Sequence, residues 1–490
     1  MKTKEMYMYT ELMGFGMSTA AFCLSNFFRE PLWSVVCLVV LCVALVFHFS
    51  YEFSKKTGLA FYFICMFTFS IGGAILPILN GDKNWMSNLT DREYIVACNC
   101  MFLSCIFILL GSIFCEKYIF VFRRVEKYGN RGKQSVGRLS DDHFNIARVQ
   151  RLAFGVFIIT TAIVLIGEMD KLQFIRTNSY LASYTEYSTS SIVARAKIIN
   201  LTSWFIGLAA RPDKKRVLIY SLLGILNPIL ILAGGSRTAF ASFILFVVFY
   251  LYNYSGIKFK EVHSSKKRSL YIFLAAVLCL IIVIPFLYTY GYARDGRTDY
   301  NQNDSIFQNI IQFFSSQGNS YTLIGYAERY KDQLPGICYS FGEIIDKILG
   351  NTYAYGTVNG ALKTNRFGAI MTYILYQWNY LNLGTGVGSS YIAELYYDFN
   401  YMGIILGNFF IGGLLQKLVN WKRNSVIKQS IFFVLFYHML AMPRTSLMEP
   451  FVQLFSLSSI VTFLFIFGAS YKKKKLITND FYLRKNANTY

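Results

Sequence analysis

Long apolar runs, separated by short polar segments, repeat along almost the whole chain. A helix needs roughly 20 apolar residues to cross about 30 Å of hydrocarbon. The pattern therefore predicts an all-α polytopic membrane protein with about twelve transmembrane helices. They lie near residues 9–28, 31–51, 58–80, 94–115, 152–167, 193–210, 217–235, 238–254, 269–290, 399–416, 429–443 and 450–470. Residues 367–382 are also apolar and are predicted to dip into the membrane or to cross it.

Composition and charge fit this reading. Of the 490 residues, 54% are hydrophobic and 15% are charged, whereas a soluble domain carries about a quarter charged residues. The net charge of +21 would suggest nucleic acid, but most of the basic residues lie in alternate loops. Short basic loops stay in the cytoplasm, so the charge reflects topology among membrane lipids and predicts no nucleic-acid partner. The basic clusters include residues 123–124, 214–216, 266–268 and 472–475.

Successive loops must lie on opposite sides of the membrane. One such arrangement places every basic cluster, and both termini, in the cytoplasm. It divides the chain into membrane helices 1–9 (residues 1–290), a large outer loop with short helices (291–398), membrane helices 10–12 (399–470) and a basic cytoplasmic tail (471–490). The large loop is rich in tyrosine and nearly neutral. Function is expected at this outer face, because the polar residues outside the basic loops gather there.

Two predicted outer turns each carry an arginine next to a helix end. Arg237 follows Gly234-Gly235-Ser236 at the start of a helix, where free N–H groups and the helix dipole favour an anion. A phosphate or diphosphate would make a cation acceptable there; the alternative is an arginine that snorkels to the interface. Arg444 stands in the last outer turn, and arginine suits forked contacts with phosphate oxygens. Its alternative is an ion pair with Glu449.

Three residues are candidates for a general base. A glycine- and serine-rich loop, residues 384–390, leads into a predicted helix with Glu394 and Asp398 on one face. Either carboxylate could take a proton from a sugar hydroxyl; the alternative is an amphipathic helix without chemistry. His438 lies six residues before Arg444 in the eleventh span, about 9 Å below the outer surface. It is a functional candidate, and the alternative is a histidine that packs between helices.

Polar residues in the outer loops could bind carrier phosphates or sugars, and the alternative for each arginine is a surface ion pair. The candidates are Arg176, Tyr180, Arg294, Arg297 and Arg329. Nine of the ten cysteines lie in or beside apolar stretches, so neither a disulfide framework nor a zinc site is predicted.

Four stretches of the chain resemble the bacterial O-antigen polysaccharide polymerases of the Wzy type. The matching stretches are Arg176-Thr-Asn-Ser-Tyr180, Gly234-Gly-Ser-Arg237, Gly388–Phe399 with the following glycine-rich helix up to Gly413, and Pro443-Arg444. The resemblance implies a metal-independent glycosyltransferase without a cofactor at the periplasmic face of the inner membrane. Such enzymes move a growing glycan from one undecaprenyl diphosphate carrier onto the sugar of another carrier-linked repeat unit.

Combined with the residues above, this resemblance predicts a division of roles. Arg237 and Arg444 hold the donor diphosphate, and Glu394 or His438 takes the proton of the acceptor hydroxyl. Arg176, Tyr180, Arg294, Arg297 and Arg329 bind substrate. A polysaccharide chain-length regulator is a candidate protein partner. The alternative functions are an O-antigen ligase of similar layout and a polysaccharide transporter or flippase.

Overall fold

The structure is a computed structural model that describes residues 2–50, 53–79, 81–129, 143–178, 180, 182–234, 238–254, 306–350, 353–420 and 425–472. Within these residues the chain forms helices and no strand. The predicted ninth span, residues 269–290, and most of the predicted cytoplasmic tail lie outside the described residues.

The helices are numbered here in chain order. They are α1 (Lys2–Phe28), α2 (Pro31–Ser50), α3 (Phe53–Met66), α4 (Gly72–Leu79), α5 (Asp91–Gly129), α6 (Ile146–Thr177), α7 (Ala182–Thr185), α8 (Ser191–Ala209), α9 (Lys214–Gly224), α10 (Leu226–Ala233), α11 (Thr238–Tyr254), α12 (Ile306–Gln317), α13 (Ser320–Arg329), α14 (Gly342–Ile348), α15 (Val358–Leu362), α16 (Phe367–Leu375), α17 (Tyr391–Asn420), α18 (Val426–Met439), α19 (Glu449–Leu454) and α20 (Leu457–Ala469). Two π-helical turns, Phe67–Ile71 and Asn379–Leu383, and a 3₁₀ turn, Met442–Arg444, complete the set.

Eight helical stretches of the described chain are long and apolar enough to cross a membrane, and each coincides with a predicted span. The prediction of an all-α polytopic membrane protein is therefore confirmed. The predicted spans at 9–28 and 238–254 form α1 and the shorter α11, and the one at 450–470 divides into α19 and α20. The total of twelve stays a prediction. The apolar stretch at 367–382 holds the nine-residue α16, which at about 1.5 Å per residue is too short to cross.

Helix α17 packs closely against α5. A Cβ atom on Gly412 would lie 2.0 Å from the carbonyl oxygen of Ile108, and one on Gly111 would lie 2.0 Å from that of Phe409. The two backbones therefore touch, as small residues allow between membrane helices. Next to this contact the Asn408 amide donates to the Ser104 hydroxyl at 3.0 Å.

A sharp break at Asn400 (φ 56°, ψ −151°) folds α17 into two antiparallel legs. A Cβ on Gly403 would lie 2.4 Å from the carbonyl oxygen of Leu395, eight residues earlier in the chain. The Tyr391 hydroxyl, at the start of the first leg, donates to the Asn408 side chain at 2.7 Å. Gly403 and Gly407 thus make a close contact with Leu395 that lies within α17. The fold-back buries the start of α17 inside the bundle.

Candidate active site

A polar cavity of about 270 Å³ lies where five segments of the chain meet. The segments are α14 with the residues just before it, the loop before α15, the start of α16, the loop that enters α17, and the turn between α18 and α19. Two arginines, three glutamates, two tyrosines and three hydroxyl side chains line this polar cavity. They are Arg366, Arg444, Glu343, Glu394, Glu449, Tyr339, Tyr355, Ser389, Thr445 and Ser446.

Arg444 stands at the end of the 3₁₀ turn that follows α18. Its Nη1 donates a hydrogen bond of 2.6 Å to Oε1 of Gln317, at the end of α12. Its guanidinium carbon lies 6.0 Å from the ring centre of Phe69, within cation–π range. Phe69 belongs to the π-helical turn between α3 and α4, and such turns often occur at functional sites. Contacts with α12 and with the π-helical turn thus orient Arg444 in the wall of the cavity.

Glu394 is almost fully buried, with 1% of its surface exposed, and both carboxylate oxygens accept hydrogen bonds. Oε1 accepts from the Ser389 hydroxyl at 2.7 Å, and Oε2 accepts from the backbone N–H of Leu447 at 2.9 Å. Each carboxylate oxygen has two lone-pair sites, so capacity for a substrate hydroxyl remains. The same bonds tie the loop before α17 to the turn after Arg444, which places Glu394 and Arg444 around one cavity.

The start of α16 contacts the loop that enters α17. A Cβ on Gly368 would lie 2.2 Å from the carbonyl oxygen of Gly388, and Gly388 itself has φ +82°, a conformation that glycine adopts most readily. Both glycines line the polar cavity. The first N–H groups of a helix have no intrahelical partner and favour an anion. The backbone thus adds positive potential beside the two arginines.

Two aspartates, the buried Asp346 and the half-buried Asp398, hold the loops that carry cavity residues. Asp398 accepts from the backbone N–H groups of Ser340 at 2.6 Å and Tyr339 at 3.1 Å. Asp346 accepts from the backbone N–H of Asn365 at 3.0 Å and from its side-chain amide at 2.9 Å. Asp398, predicted together with Glu394 as a base candidate, therefore fixes the loop that bears Tyr339. Asp346 likewise fixes the residue before Arg366.

Three glutamates and two arginines share the polar cavity, so its charge depends on whether a carboxyl group is protonated. Burial and the neighbouring charge of Glu449 raise the pKa of Glu343, while the Ser446 hydroxyl and the charges of Arg366 and Lys347 oppose that rise. Protonation of Glu343 would remove one negative charge from the cavity. A diphosphate is easier to accommodate in that state, because like charges close together repel.

His438 lines a different cavity, of about 380 Å³, together with Thr189, Lys197 and Gln453. Lys197 forms an ion pair with the buried Glu168. The Gln453 amide donates to Oε1 of Glu449 at 3.0 Å, so this pair connects the walls of the two cavities. The structure thus does not bring His438 into the polar cavity with Glu394 and Arg444.

Arg329 lies outside the polar cavity and is bound by the protein itself. Its Nε and Nη2 donate to the two carboxylate oxygens of Glu93 at 2.9 and 2.6 Å. Nη2 also donates to the carbonyl oxygen of Asn88 at 2.7 Å, and the guanidinium stacks over Tyr326. We call this arrangement the Arg329 clamp; it fastens α13 to the start of α5.

The other predicted substrate ligands are distributed as follows. Arg176 is exposed in the last turn of α6, and Tyr180 forms a hydrogen bond with Tyr184 through its hydroxyl. Helix α7, next to Tyr180, contacts the π-helical turn at Asn379–Leu383. Tyr380 of that turn packs against the cavity residue Tyr355 at 4.7 Å between ring centres. Arg237, Arg294 and Arg297 lie outside the described residues.

Sequence reasoning did not select several cavity residues as site candidates. They are Glu343, Arg366, Tyr339, Tyr355 and the Arg444 partner Gln317. Apart from Tyr339 and Glu343, which are four residues apart, these residues come from separate segments. None of them forms a recognisable motif, so only the fold brings the segments together. In the described part of the chain, no three His, Cys, Asp or Glu side chains are grouped so that they could hold a metal ion.

These features define a class of protein. It is a polytopic membrane protein in which arginines, carboxylates and the N-terminal ends of two helices surround a polar cavity. A family model described as O-antigen polysaccharide polymerase Wzy matches residues 8–475. This match covers nearly the whole chain, so the protein belongs to the O-antigen polysaccharide polymerase Wzy family. Neither the comparison with curated proteins nor the comparison with solved structures found a match.

The family confirms the predicted function. The protein is an O-antigen repeat-unit polymerase, a multi-pass protein of the inner membrane that acts on lipid-linked oligosaccharides. The alternatives of a ligase and of a transporter are not favoured.

Proposed function

We propose that the polar cavity is the place where glycan is transferred from one undecaprenyl diphosphate carrier to the next. One observation carries this proposal: Ser389 joins Glu394 and Arg444 around one cavity. Its hydroxyl donates to Glu394 at 2.7 Å, and its backbone N–H donates to the carbonyl oxygen of Arg444 at 3.4 Å. A proton acceptor and an anion ligand thus face the same space.

The proposed step is a displacement at the anomeric carbon of the donor glycan. The bond from that carbon to the carrier diphosphate breaks while the acceptor hydroxyl oxygen forms the new glycosidic bond. The hydroxyl proton passes to Glu394, and the carrier leaves as undecaprenyl diphosphate. Arg444 and Arg366, with the starts of α16 and α17, stabilise the negative charge that develops on the leaving group. This mechanism requires no metal ion.

The other predicted residues take secondary places in this proposal. Arg237 remains a proposed second ligand of the diphosphate, and Arg176, Tyr180, Arg294 and Arg297 remain proposed ligands of the glycan outside the cavity. We assign Arg329 to the stability of the outer region, because Glu93 and Asn88 already bind its guanidinium. A chain-length regulator is a proposed partner that controls how many transfers occur.

We place the polar cavity on the periplasmic side and both termini in the cytoplasm. The support is the distribution of charge along α17, where Glu394 belongs to the first leg and Lys417 to the far end of the second. Lys417 begins the basic segment 417–428, and basic loops stay in the cytoplasm. The cavity therefore lies toward the opposite membrane surface.

Cysteine labelling tests both the side and the occupant of the cavity. Thr445→Cys lines the cavity, and Asp213→Cys, beside the basic segment 214–216, is the control; in both, Cys23 and Cys338 are replaced by serine. In intact spheroplasts, a membrane-impermeant maleimide is expected to label Thr445→Cys and not Asp213→Cys. Added undecaprenyl diphosphate should slow that labelling. Labelling of Asp213→Cys alone would refute the sidedness, and labelling of Thr445→Cys that the carrier does not slow would refute the site.

A further inference from the structure

An apolar groove lies directly beside the polar cavity. It has a volume of about 680 Å³ and is lined almost entirely by apolar side chains from α14, both legs of α17, the end of α18, the 3₁₀ turn and α19. Gly403 and Gly407 also line it, where they let the two legs of α17 approach closely. We call it the apolar groove.

The apolar groove and the polar cavity are lined by neighbouring residues of the same chain segments. In four places one residue lines the cavity and its neighbour in the chain lines the groove. These pairs are Glu343 and Ile344, Glu394 and Leu395, Ser446 and Leu447, and Glu449 and Met448. A ligand with a polar head in the cavity and an apolar tail could therefore occupy both spaces without crossing a polar barrier.

The groove also has the direction that a membrane-embedded tail requires. Met402, Leu406, Phe410 and Leu414 line it at intervals of four residues on the second leg of α17, which is one face of a helix. Twelve residues at a rise of about 1.5 Å extend it over roughly 18 Å. It follows α17 from the break at Asn400 toward Lys417, and thus from the cavity into the hydrocarbon region.

The side chains of the groove suit a long branched hydrocarbon. Met402, Met439, Met442 and Met448 contribute flexible thioether side chains, and methionine adapts to irregular apolar shapes. Leu406 and Phe410 are 62% and 65% exposed, so the groove is open along its side and a tail can enter from the bilayer.

We propose that the apolar groove binds the polyisoprenyl chain of a lipid-linked glycan, so that the chain fixes the carrier diphosphate in the polar cavity. The inference rests on the proposed function, since it assigns the tail of the substrate whose head occupies that cavity. A membrane phospholipid in the groove is the outcome that would contradict it.

Photo-crosslinking tests the occupant without requiring turnover. A photoreactive phenylalanine analogue replaces Phe410 in the groove or, as a matched control, Phe465 on α20, which is 54% exposed. The full-length protein is placed in vesicles of phosphatidylethanolamine and phosphatidylglycerol that contain undecaprenyl diphosphate. Position 410 is expected to capture the prenyl lipid in preference to phospholipid, whereas position 465 should capture phospholipid. The same ratio of adducts at both positions would overturn the proposal.

A kinetic test uses Leu406→Trp, which narrows the groove, and Val46→Trp, at a lipid-facing position of α2 that is 65% exposed. With an undecaprenyl carrier, Leu406→Trp should raise KM roughly tenfold, equivalent to about 1.4 kcal/mol of binding. With a dimethylallyl carrier, whose single isoprene unit is too short to reach Leu406, about 9 Å from the break at Asn400, KM should stay as in Val46→Trp. Equal effects on both carriers would refute a tail site.

The two proposals can fail separately. If Glu394→Gln and Arg444→Ala both polymerise normally, the transfer site is wrong, yet capture of prenyl lipid at position 410 would still establish the groove. If those variants are inactive while position 410 captures phospholipid as position 465 does, the transfer site stands and the groove assignment fails.

Discussion

The Arg329 clamp and the polar cavity each combine an arginine with a glutamate at the start of a membrane helix, yet they use the pair differently. In the clamp, Glu93 and Asn88 accept three hydrogen bonds from the Arg329 guanidinium. In the cavity, Arg444 donates to the neutral amide of Gln317, while Glu394 accepts from Ser389 and Leu447. The clamp joins two helices, whereas the cavity keeps both charged groups around an open space.

The two arginines differ in their surroundings, because Glu93 binds Arg329 through two hydrogen bonds whereas Arg444 lines an open cavity. A guanidinium bound in a bidentate manner by a carboxylate has its geometry and charge satisfied. Arg444 is oriented by a neutral amide and an aromatic ring in the wall of the polar cavity. The comparison can be tested with paired substitutions, one in each region.

Glu394→Gln should have the largest effect. The amide keeps the size of the side chain but cannot take a proton, so the polymerisation rate should fall by about 10²–10⁴-fold. Glu93→Gln is the paired substitution and should retain the rate per folded molecule. The measurement is polymer formation from a purified carrier-linked repeat unit, together with a glycan ladder gel from cells. Normal ladders from Glu394→Gln would exclude it as the base.

Arg444→Ala should reduce the rate by about 10²–10³-fold, because a charge that stabilises the leaving group is lost. Protein abundance in the membrane should stay close to normal. Arg92→Ala is the control, since Arg92 is an exposed arginine paired with Glu328 and lies outside the polar cavity. Full-length polymer from the Arg444 variant at normal abundance would remove this arginine from the mechanism.

Arg329→Ala should change stability more than chemistry. Loss of the bonds to Glu93 and Asn88 should cost about 2 kcal/mol, a value reduced by the partial exposure of Arg329. The expected observations are an earlier thermal transition in detergent and less protein in the membrane, with activity per folded molecule retained within about twofold. A stable variant that binds carrier-linked glycan poorly would instead restore Arg329 as a substrate ligand.

The pH dependence of donor binding should show the smallest effect. The pKa of Glu343 is raised above its ordinary value of 4.5, so the protonated form persists to higher pH. As pH rises through that raised pKa, the cavity gains a negative charge and the affinity for the carrier diphosphate should fall. Glu343→Gln, which cannot ionise, should remove this dependence. The measurement is carrier binding across pH in the wild type and in Glu343→Gln; an unchanged profile would exclude Glu343 as its source.

The site was only partly predictable from sequence. Glu394 and Arg444 could be singled out because each stands in a local pattern, a glycine–serine loop before a helix and a Pro-Arg turn after one. Glu343 and Arg366 have no such pattern, and their proximity depends on how the segments of the large loop pack. His438 shows the opposite case, since its place in an apolar span suggested chemistry, but the packing of α18 directs it to another cavity.

The sequence by itself determined the all-α membrane architecture and the positions of most spans, because apolar run length and loop charge act locally along the chain. Short local motifs indicated the family. Tertiary structure alone decided which of the arginines predicted to lie at the outer face share a cavity with Glu394. That choice depends on the break at Asn400 and on the contact between Gly368 and Gly388. Both bring together residues that are distant in the chain, through backbone approaches that no local pattern encodes.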